Sequence, residues 1–255
     1  KEEKQKNDEL RSKRAVTLTN AQSCDLLFQI SSIRSRNEDL ISVYLRPEES
    51  FTDLNESGIE LDQEVKYLLP RNASPTGMAL FYDLKRIGIV PGVVAPPFPV
   101  RESEWKLDHV FDTKPLQELL ERDQVFCIVL AHAGETFIGI SNRDAFIDYR
   151  TVRSSVKEKH TKGGWSQRRF ERLRNEDIRH HAEKARGVFE ALVRDYNNEL
   201  KMIVASGEPN LIKVIARGDY PFPLLIRRID MKARIEKQNI DKIRVLAWSA
   251  SWYTI

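Results

Sequence analysis

The sequence predicts an α/β protein in two parts: a smaller α/β N-terminal region over residues 1–118, and a second domain over 119–255 in which helices cover a mixed sheet. Three observations point there. The runs VFCIVLA (125–131), TFIGIS (136–141) and AFIDYRTV (145–152) are separated by AGE and NRD turns, the pattern of a three-strand meander. A long stretch after them carries apolar residues at helical spacing. With 41% of its 255 residues hydrophobic and 31% charged, the chain can also bury a core beneath a heavily charged surface.

Residues 1–14 are almost all charged or polar and predict a tail or frayed helix. Leu26, Leu27, Ile30 and Ile33 place an amphipathic helix over 21–36. ISVYL (41–45) reads as a strand stopped by Pro47, and MALFYDL (78–84) and IGIVPGVV (87–94) as two strands joined by a tight turn. Pro91, Pro96, Pro97 and Pro99 keep the next stretch extended, because proline lacks the N–H a helix needs. Pro115 opens a short helix over 115–120, beside which the domain boundary is placed. After the meander and the long helix come LKMIVAS (200–206), a buried-type strand, EPNLIKVIA (208–216), a short helix, and the basic segment LLIRRIDMKARI (224–235), whose type the pattern leaves open.

Between the third meander strand and the long helix lies KEKHTKGGWSQRRFERLRNEDI (157–178). Gly163 and Gly164 remove side-chain bulk, and Trp165-Ser166-Gln167 is poor core material, so 162–167 reads as an exposed glycine loop with Ser166 as the helix N-cap. Phe170, Leu173, Ile178, Ala182, Ala185, Phe189, Leu192 and Tyr196 then follow close to one helical stripe. Arg168, Arg172, Arg179 and Arg186 recur on a different face. One side of this helix is made for a sheet and another is a basic ridge.

The formal net charge of +3 is unremarkable, but its distribution is not. Residues 150–186 hold 12 Lys or Arg against 5 Asp or Glu, an excess of +7 that leaves −4 for the remainder. A localised excess of this kind suits a polyanion such as RNA; a solvated face laced with salt bridges is the other reading.

Several chemistries are disfavoured. Cys24 and Cys127 are the only cysteines and have neither zinc-site nor disulfide-scaffold spacing; Cys127, inside VFCIVLA, is expected to be a buried, inert thiol. His180 and His181 are adjacent, and adjacent helical residues point about 100° apart, so they cannot chelate a metal together. His109 and His132 have no nucleophile at a recognisable spacing, and Ser166 has no base. No phosphate-cradling loop or dinucleotide fingerprint occurs, so neither cofactor nor metal is expected. No run approaches the roughly 18 apolar residues of a membrane span, and KEEKQKNDEL has no signal-peptide core, so a cytoplasmic protein is expected, with the Asn72-Ala73-Ser74 sequon a chance occurrence.

The segment GGWSQRRFERLRNEDIRHHAEKA resembles the signature of archaeal and eukaryotic peptide-chain release factors, in which a Gly-Gly-Gln-Ser-x-Arg-Arg-Phe loop opens a long helix. Gly163, Gly164, Ser166, Arg168, Arg169, Phe170, Arg172, Leu173 and Arg174 fall in register with it. VFCIVLAHAGETFIGIS is similar to the start of that family's middle, catalytic domain, and LKMIVASGEPNLIKVIARGDYPFPLL, with its Gly218-Asp219-Tyr220 step, to its closing strand and linker. The similarity covers roughly 124–240. Two departures stand out. Trp165 occupies the family's glutamine position and a glutamine follows as Gln167; and residues 1–118 contain neither the Asn-Ile-Lys-Ser nor the Tyr-x-Cys-x-x-x-Phe stop-codon motif. Both departures fit the release-factor-like peptidyl-tRNA hydrolases of ribosome quality control, which free nascent chains from stalled ribosomes without reading a codon.

The resemblance implies a release-factor-like catalytic domain with Gln167, Gly163 and Gly164 as its catalytic residues. Lys162, Trp165, Arg168, Arg169, Arg172 and Arg179 are then expected on RNA, and the large ribosomal subunit and peptidyl-tRNA as partners of a monomeric protein. A glutamine amide is no base at pH 7; it positions water and presents dipoles. Two other readings stay open: a non-catalytic ribosome- or tRNA-binding paralogue, and a nuclease that cuts the tRNA 3′ CCA end.

Overall fold

The computed structural model describes residues 15–47, 49, 74–85, 92–156, 165–229 and 235–253. The chain divides into two compact units, Lys1–Arg122 with Trp248–Ile255, and Asp123–Ala247. The parting falls just past the expected boundary at 118/119, because that boundary would cut a helix whose Leu116, Leu119 and Leu120 are all buried. The last strand returns to the first unit instead of closing the second.

Numbered in chain order, the first unit comprises β1 (Ala15–Leu18), α1 (Asn20–Ser31), β2 (Leu40–Leu45), β3 (Met78–Asp83), β4 (Gly92–Ala95), β5 (Glu104–Asp108), α2 (Lys114–Glu121) and the final strand β11 (Ala250–Tyr253). Its antiparallel sheet runs β1-β11-β4-β3-β2-β5. Every residue of β2 and β3 is buried, which their continuous apolar runs require at the centre of a sheet covered on both faces. Thr19 and Gln22 cap α1 reciprocally, Gln22 N–H donating to Thr19 Oγ1 and Thr19 N–H to Gln22 Oε1. That helix stops at Ser31, short of the expected residue 36, because the Ser31 and Ser32 hydroxyls donate back to the Phe28 carbonyl and the chain then bridges Arg34 to Val110. Of the expected strand over 87–94, residues 92–94 lie in β4; residues 86–91, with the expected tight turn, lie outside the described residues, as does the tail 1–14.

The second unit comprises β6 (Val125–His132), β7 (Glu135–Ser141), β8 (Phe146–Arg153), α3 (Trp165–Asp195), β9 (Leu200–Gly207), α4 (Pro209–Ile215), β10 (Leu224–Ile226), a 3₁₀ turn (Lys237–Asn239) and α5 (Ile240–Ala247). The meander β6-β7-β8 is antiparallel, and β9 and then β10 add in parallel beside β6, giving the mixed order β10-β9-β6-β7-β8. One face of the sheet presents Cys127, Val129, Ala131, Ile138, Ile140 and Val152 to α3 and α4, which bury Ala182, Ala185, Phe189, Leu192, Leu211, Ile212 and Ile215 against it. The basic segment 224–235 begins as β10. Just beyond it the buried Arg227 donates to the carbonyls of Leu246 and Ala247, capping the C-terminus of α5, and burial pulls its pKa down to about 10. Among the described residues no helix is long and apolar enough to cross a membrane.

Three segments are joined by one fully buried imidazole. His181 on α3 lies with Nε2 2.9 Å from Thr136 Oγ1 on β7 and with Nδ1 3.0 Å from Ser154 Oγ, one residue past β8. Each hydroxyl can donate or accept, so a neutral ring is satisfied in either tautomer. Burial is the main cause holding the His181 pKa below its ordinary value. Lys184 pushes it the same way, while the His132 carbonyl and the Glu208 carboxylate oppose.

Gly207 ends β9 at φ +115°, where a Cβ would lie 2.1 Å from the Ala131 carbonyl oxygen. Gly207→Ala should therefore destabilise the protein by at least about 1–3 kcal/mol, the cost of such a backbone in a residue with a side chain; a urea midpoint equal to the wild type's would contradict the assigned geometry. The His181 environment generates a second expectation. With its folded pKa below the unfolded value of 6.5, the unfolded chain takes up the proton first as pH falls. The stabilisation from this group is complete above about pH 6.5 and is lost as pH falls from there through the folded pKa. The stability advantage of wild type over His181→Leu in urea titrations should thus shrink between about pH 7.5 and about pH 5.5.

Candidate functional site

The long helix outruns its sheet. At 31 residues α3 is about 46 Å long, whereas the eight-residue strands β6, β8 and β9 span about 27 Å. Burial marks where support ends: His181, Ala182, Ala185, Phe189, Leu192 and Val193 are buried, but none of Arg168 to His180 is. The apolar stripe expected from Phe170 onward is a packed face only from Ile178. Phe170 is 40% exposed and does not belong to the cluster packed on the sheet.

The uncovered arm carries the basic ridge. Arg168, Arg172 and Arg179 line one open groove with Glu171, Asn175 and Glu176. Arg172 Nε lies 3.4 Å from Glu176 Oε1, an exposed pair of the weak i,i+4 kind. Arg168, Arg169 and Arg179 are exposed and, among the described residues, form no ion pair. Arg186, expected to continue the ridge, is half-buried and paired to Glu190 at 2.7 Å, so the ridge ends before it.

The tip differs from expectation in one respect. Trp165, Ser166 and Gln167 form the first turn of α3, so Ser166 is the helix's second residue instead of its N-cap, and Gln167 stands on the helix and not in the loop. Nothing from Trp165 to Arg186 opposes a helix, and α3 runs through it without a break. Lys162, Gly163 and Gly164 lie outside the described residues. A helix start has N–H groups without intrahelical partners and the positive end of the helix dipole, which together favour negative charge.

His181 is the residue that sequence reasoning missed, having been weighed there only as a metal ligand. The signal was present: 178, 181, 182, 185 and 189 lie on the buried face, which makes His181 an inward-facing histidine and leaves His180 exposed. Cys127 is fully buried, which pushes its thiol pKa far up, away from thiolate chemistry. Among the described residues no three His, Cys, Asp or Glu gather as a metal site.

Comparison with known proteins bears on this unit. Residues 124–222 match the sequence model of the family described as Actinobacteria/chloroflexi VLRF1 release factor. The peptide chain release factor subunit 1 of Methanopyrus kandleri is 26% identical over 224 residues, covering 76% of this chain and 54% of that protein. The eukaryotic peptide chain release factor subunit 1 of Schizosaccharomyces pombe is 30% identical over 125 residues, 48% of this chain and 29% of that protein. The chain thus spans about half the length, or less, of these relatives. The crystal structure of the archaeal translation termination factor aRF1 covers 83% of this chain and 67% of its own at 16% identity, with a TM-score of 0.33. The matched segment runs from the start of β6 through α3 to the Gly218-Asp219-Tyr220 step, the region whose uncovered helix carries the basic ridge. That match supports a place for residues 124–222 in the release-factor superfamily.

Proposed function

We propose that this protein is a codon-independent peptidyl-tRNA hydrolase that releases nascent chains from stalled ribosomes, with the first turn of α3 delivered to the peptidyl ester. One observation carries the reading. A Gly-Gly segment leads into Gln167 at the end of an uncovered helical arm on which Arg168, Arg169 and Arg179 form no ion pair among the described residues. An arm of this shape suits a narrow RNA-lined site, where Gly163 and Gly164 avoid the bulk of a Cβ. The ridge of Arg168, Arg169, Arg172 and Arg179, with Lys162, neutralises phosphates on the way in.

In the reaction a water oxygen bonds to the ester carbonyl carbon and the bond from that carbon to the ribose oxygen breaks. One proton of the water ends on the ribose oxygen; the peptide leaves as a carboxylate and the other proton passes to solvent. The Gln167 amide orients the water, and backbone N–H groups at the helix start face the developing oxyanion. Trp165 stacks on the terminal adenine of the tRNA or aims Gln167. The partners are the large ribosomal subunit and peptidyl-tRNA, the protein acts as a cytoplasmic monomer, and no cofactor enters. The replacement of the family's glutamine by Trp165 favours one second reading, cleavage of the tRNA 3′ end with a ribose hydroxyl as nucleophile. The RNA product decides between them: hydrolysis leaves tRNA with an intact CCA end, the nuclease shortens it, and a non-catalytic paralogue leaves peptidyl-tRNA unchanged.

Gln167→Ala should lower the rate of peptide release by about 10²–10³ with folding and ribosome binding retained. Wild-type release by that variant would remove Gln167 from the mechanism. Charge reversal of Arg168, Arg172 and Arg179 together should flatten the log–log salt dependence of binding to ribosomal particles or tRNA by roughly two units, at about 0.7 for each phosphate left without its arginine. An unaltered slope would leave the ridge a solvated face.

A further inference from the structure

The root of the arm is a better-defined object than its tip. His181 stands where α3 leaves the sheet, bonded toward Thr136 on β7 and toward Ser154 at the exit of β8. The same corner is closed by backbone groups. Ser154 N–H donates to the Gly134 carbonyl at 2.9 Å, and Ala133 N–H to Glu208 Oε1 at 2.8 Å. Lys184 Nζ, one turn along α3, reaches the Arg153 carbonyl at 3.5 Å. In this corner His181 is the only α3 side chain bonded to groups from both strands among the described residues.

Gln167 precedes His181 by fourteen residues, about 21 Å along the helix axis. Among the described residues Ile178, one turn nearer the tip, is the last α3 side chain packed on the core cluster, and none from Arg168 to His180 is fully buried, so an error in angle made here is carried along the arm. A tilt of about 3° at His181 moves the tip by about 1 Å over that length. A displacement of that size at a reacting group can cost about 10²-fold in rate.

We propose that His181 is a positioning residue for the proposed reaction: through Thr136 and Ser154 it fixes the angle at which the arm carrying Gln167 leaves the sheet. The inference rests on the reading of Gln167 as the water-orienting residue. The ring acts as a neutral bridge. The acidic and basic groups facing it are Lys184 from its own helix and Glu208 from the start of α4, with the His132 carbonyl from β6. Only hydroxyls reach it from β7 and from the end of β8.

Two measurements on the full chain test this. In a release assay on stalled ribosome–peptidyl-tRNA complexes, His181→Leu should lower kcat by about 10²-fold with KM and the salt slope of binding unmoved. Hydrogen exchange of the free protein should show the amides of 165–180 and 154–156 exchanging faster, by about ten-fold, with those of β6 and β9 unchanged. If His181→Leu fails to fold, Ser154→Ala and Thr136→Val, each removing one hydroxyl and leaving the ring buried, should give the same pattern at smaller amplitude. Unchanged exchange in the arm of a folded variant, or a loss confined to KM, would overturn the positioning role. If the wild type itself releases no peptide, the proposed function fails, and the exchange measurement alone then decides whether His181 sets the arm.

Discussion

The mismatch in length between α3 and the sheet beneath it is the constraint on which this architecture depends. The half from His181 onward carries the fully buried side chains of α3, and among the described residues none from Arg168 to His180 is fully buried. A helix without tertiary support must rely on intrinsic preference, and the uncovered half is composed accordingly. It is rich in arginine, with five from Arg168 to His180, contains neither glycine nor proline from Trp165 to Arg186, and is reinforced by the Arg172–Glu176 pair. Its charge follows from the same constraint. A face that stays in water must be polar, yet a face made only for solubility would balance its signs. Here Arg168, Arg169 and Arg179 form no ion pair among the described residues. In the supported half Arg186 is neutralised by Glu190.

Support in the second half is built for close approach. Ala182 and Ala185 let the helix backbone sit near the strands, and Phe189 fills the space beyond them. Phe189 is held edge-on by Tyr220, which stacks on Phe222. The Gly218-Asp219-Tyr220 step thereby acquires a physical role. A Cβ on Gly218 would lie 2.8 Å from the Tyr220 ring, so the glycine lets the chain fold the ring onto α3. A family motif that looks like a linker in sequence is a clamp on the helix that carries the arm.

Legibility in the sequence followed the range of the interactions involved. The β6-β7-β8 meander was readable to within a residue because each strand pairs with its sequence neighbour and the turns announce themselves at Gly134 and Asn142-Arg143-Asp144. The first unit was readable only in its centre, where LISVYL and MALFYD are apolar but for Ser42 and Asp83. Its margins were not. β1 and β11 pair with one another from opposite ends of the chain, and β5 is a short edge strand of exposed residues following a proline run. The stripe on α3 was overextended toward Phe170 because periodicity reports which residues share a face, and not whether anything faces them. His181 was hidden by its neighbour. A His-His doublet draws the eye to metal chemistry, whereas its spacing to Ile178 and Ala185 marks one of the two as core.

The displaced glutamine also changes meaning once position 165 is known to be helical. Successive helical residues are about 100° apart, so positions 165 and 167 differ by about 200° around the axis and by about 3 Å along it. A two-residue shift along an extended loop could be absorbed by threading the loop further; on a helix it moves the residue to nearly the opposite side. Position 165 shares its row with Arg168, Arg169 and Arg172, while position 167 shares its row with Phe170, Glu171 and Arg174. On the proposed reading, position 165 therefore continues the ridge, and position 167 lies to one side of it. A helix whose first turn holds both must reach the ester rotated about its axis relative to one with glutamine at position 165. On that reading the rotation is set along the face by which α3 is held, from Ile178 to Val193, with His181 at its root.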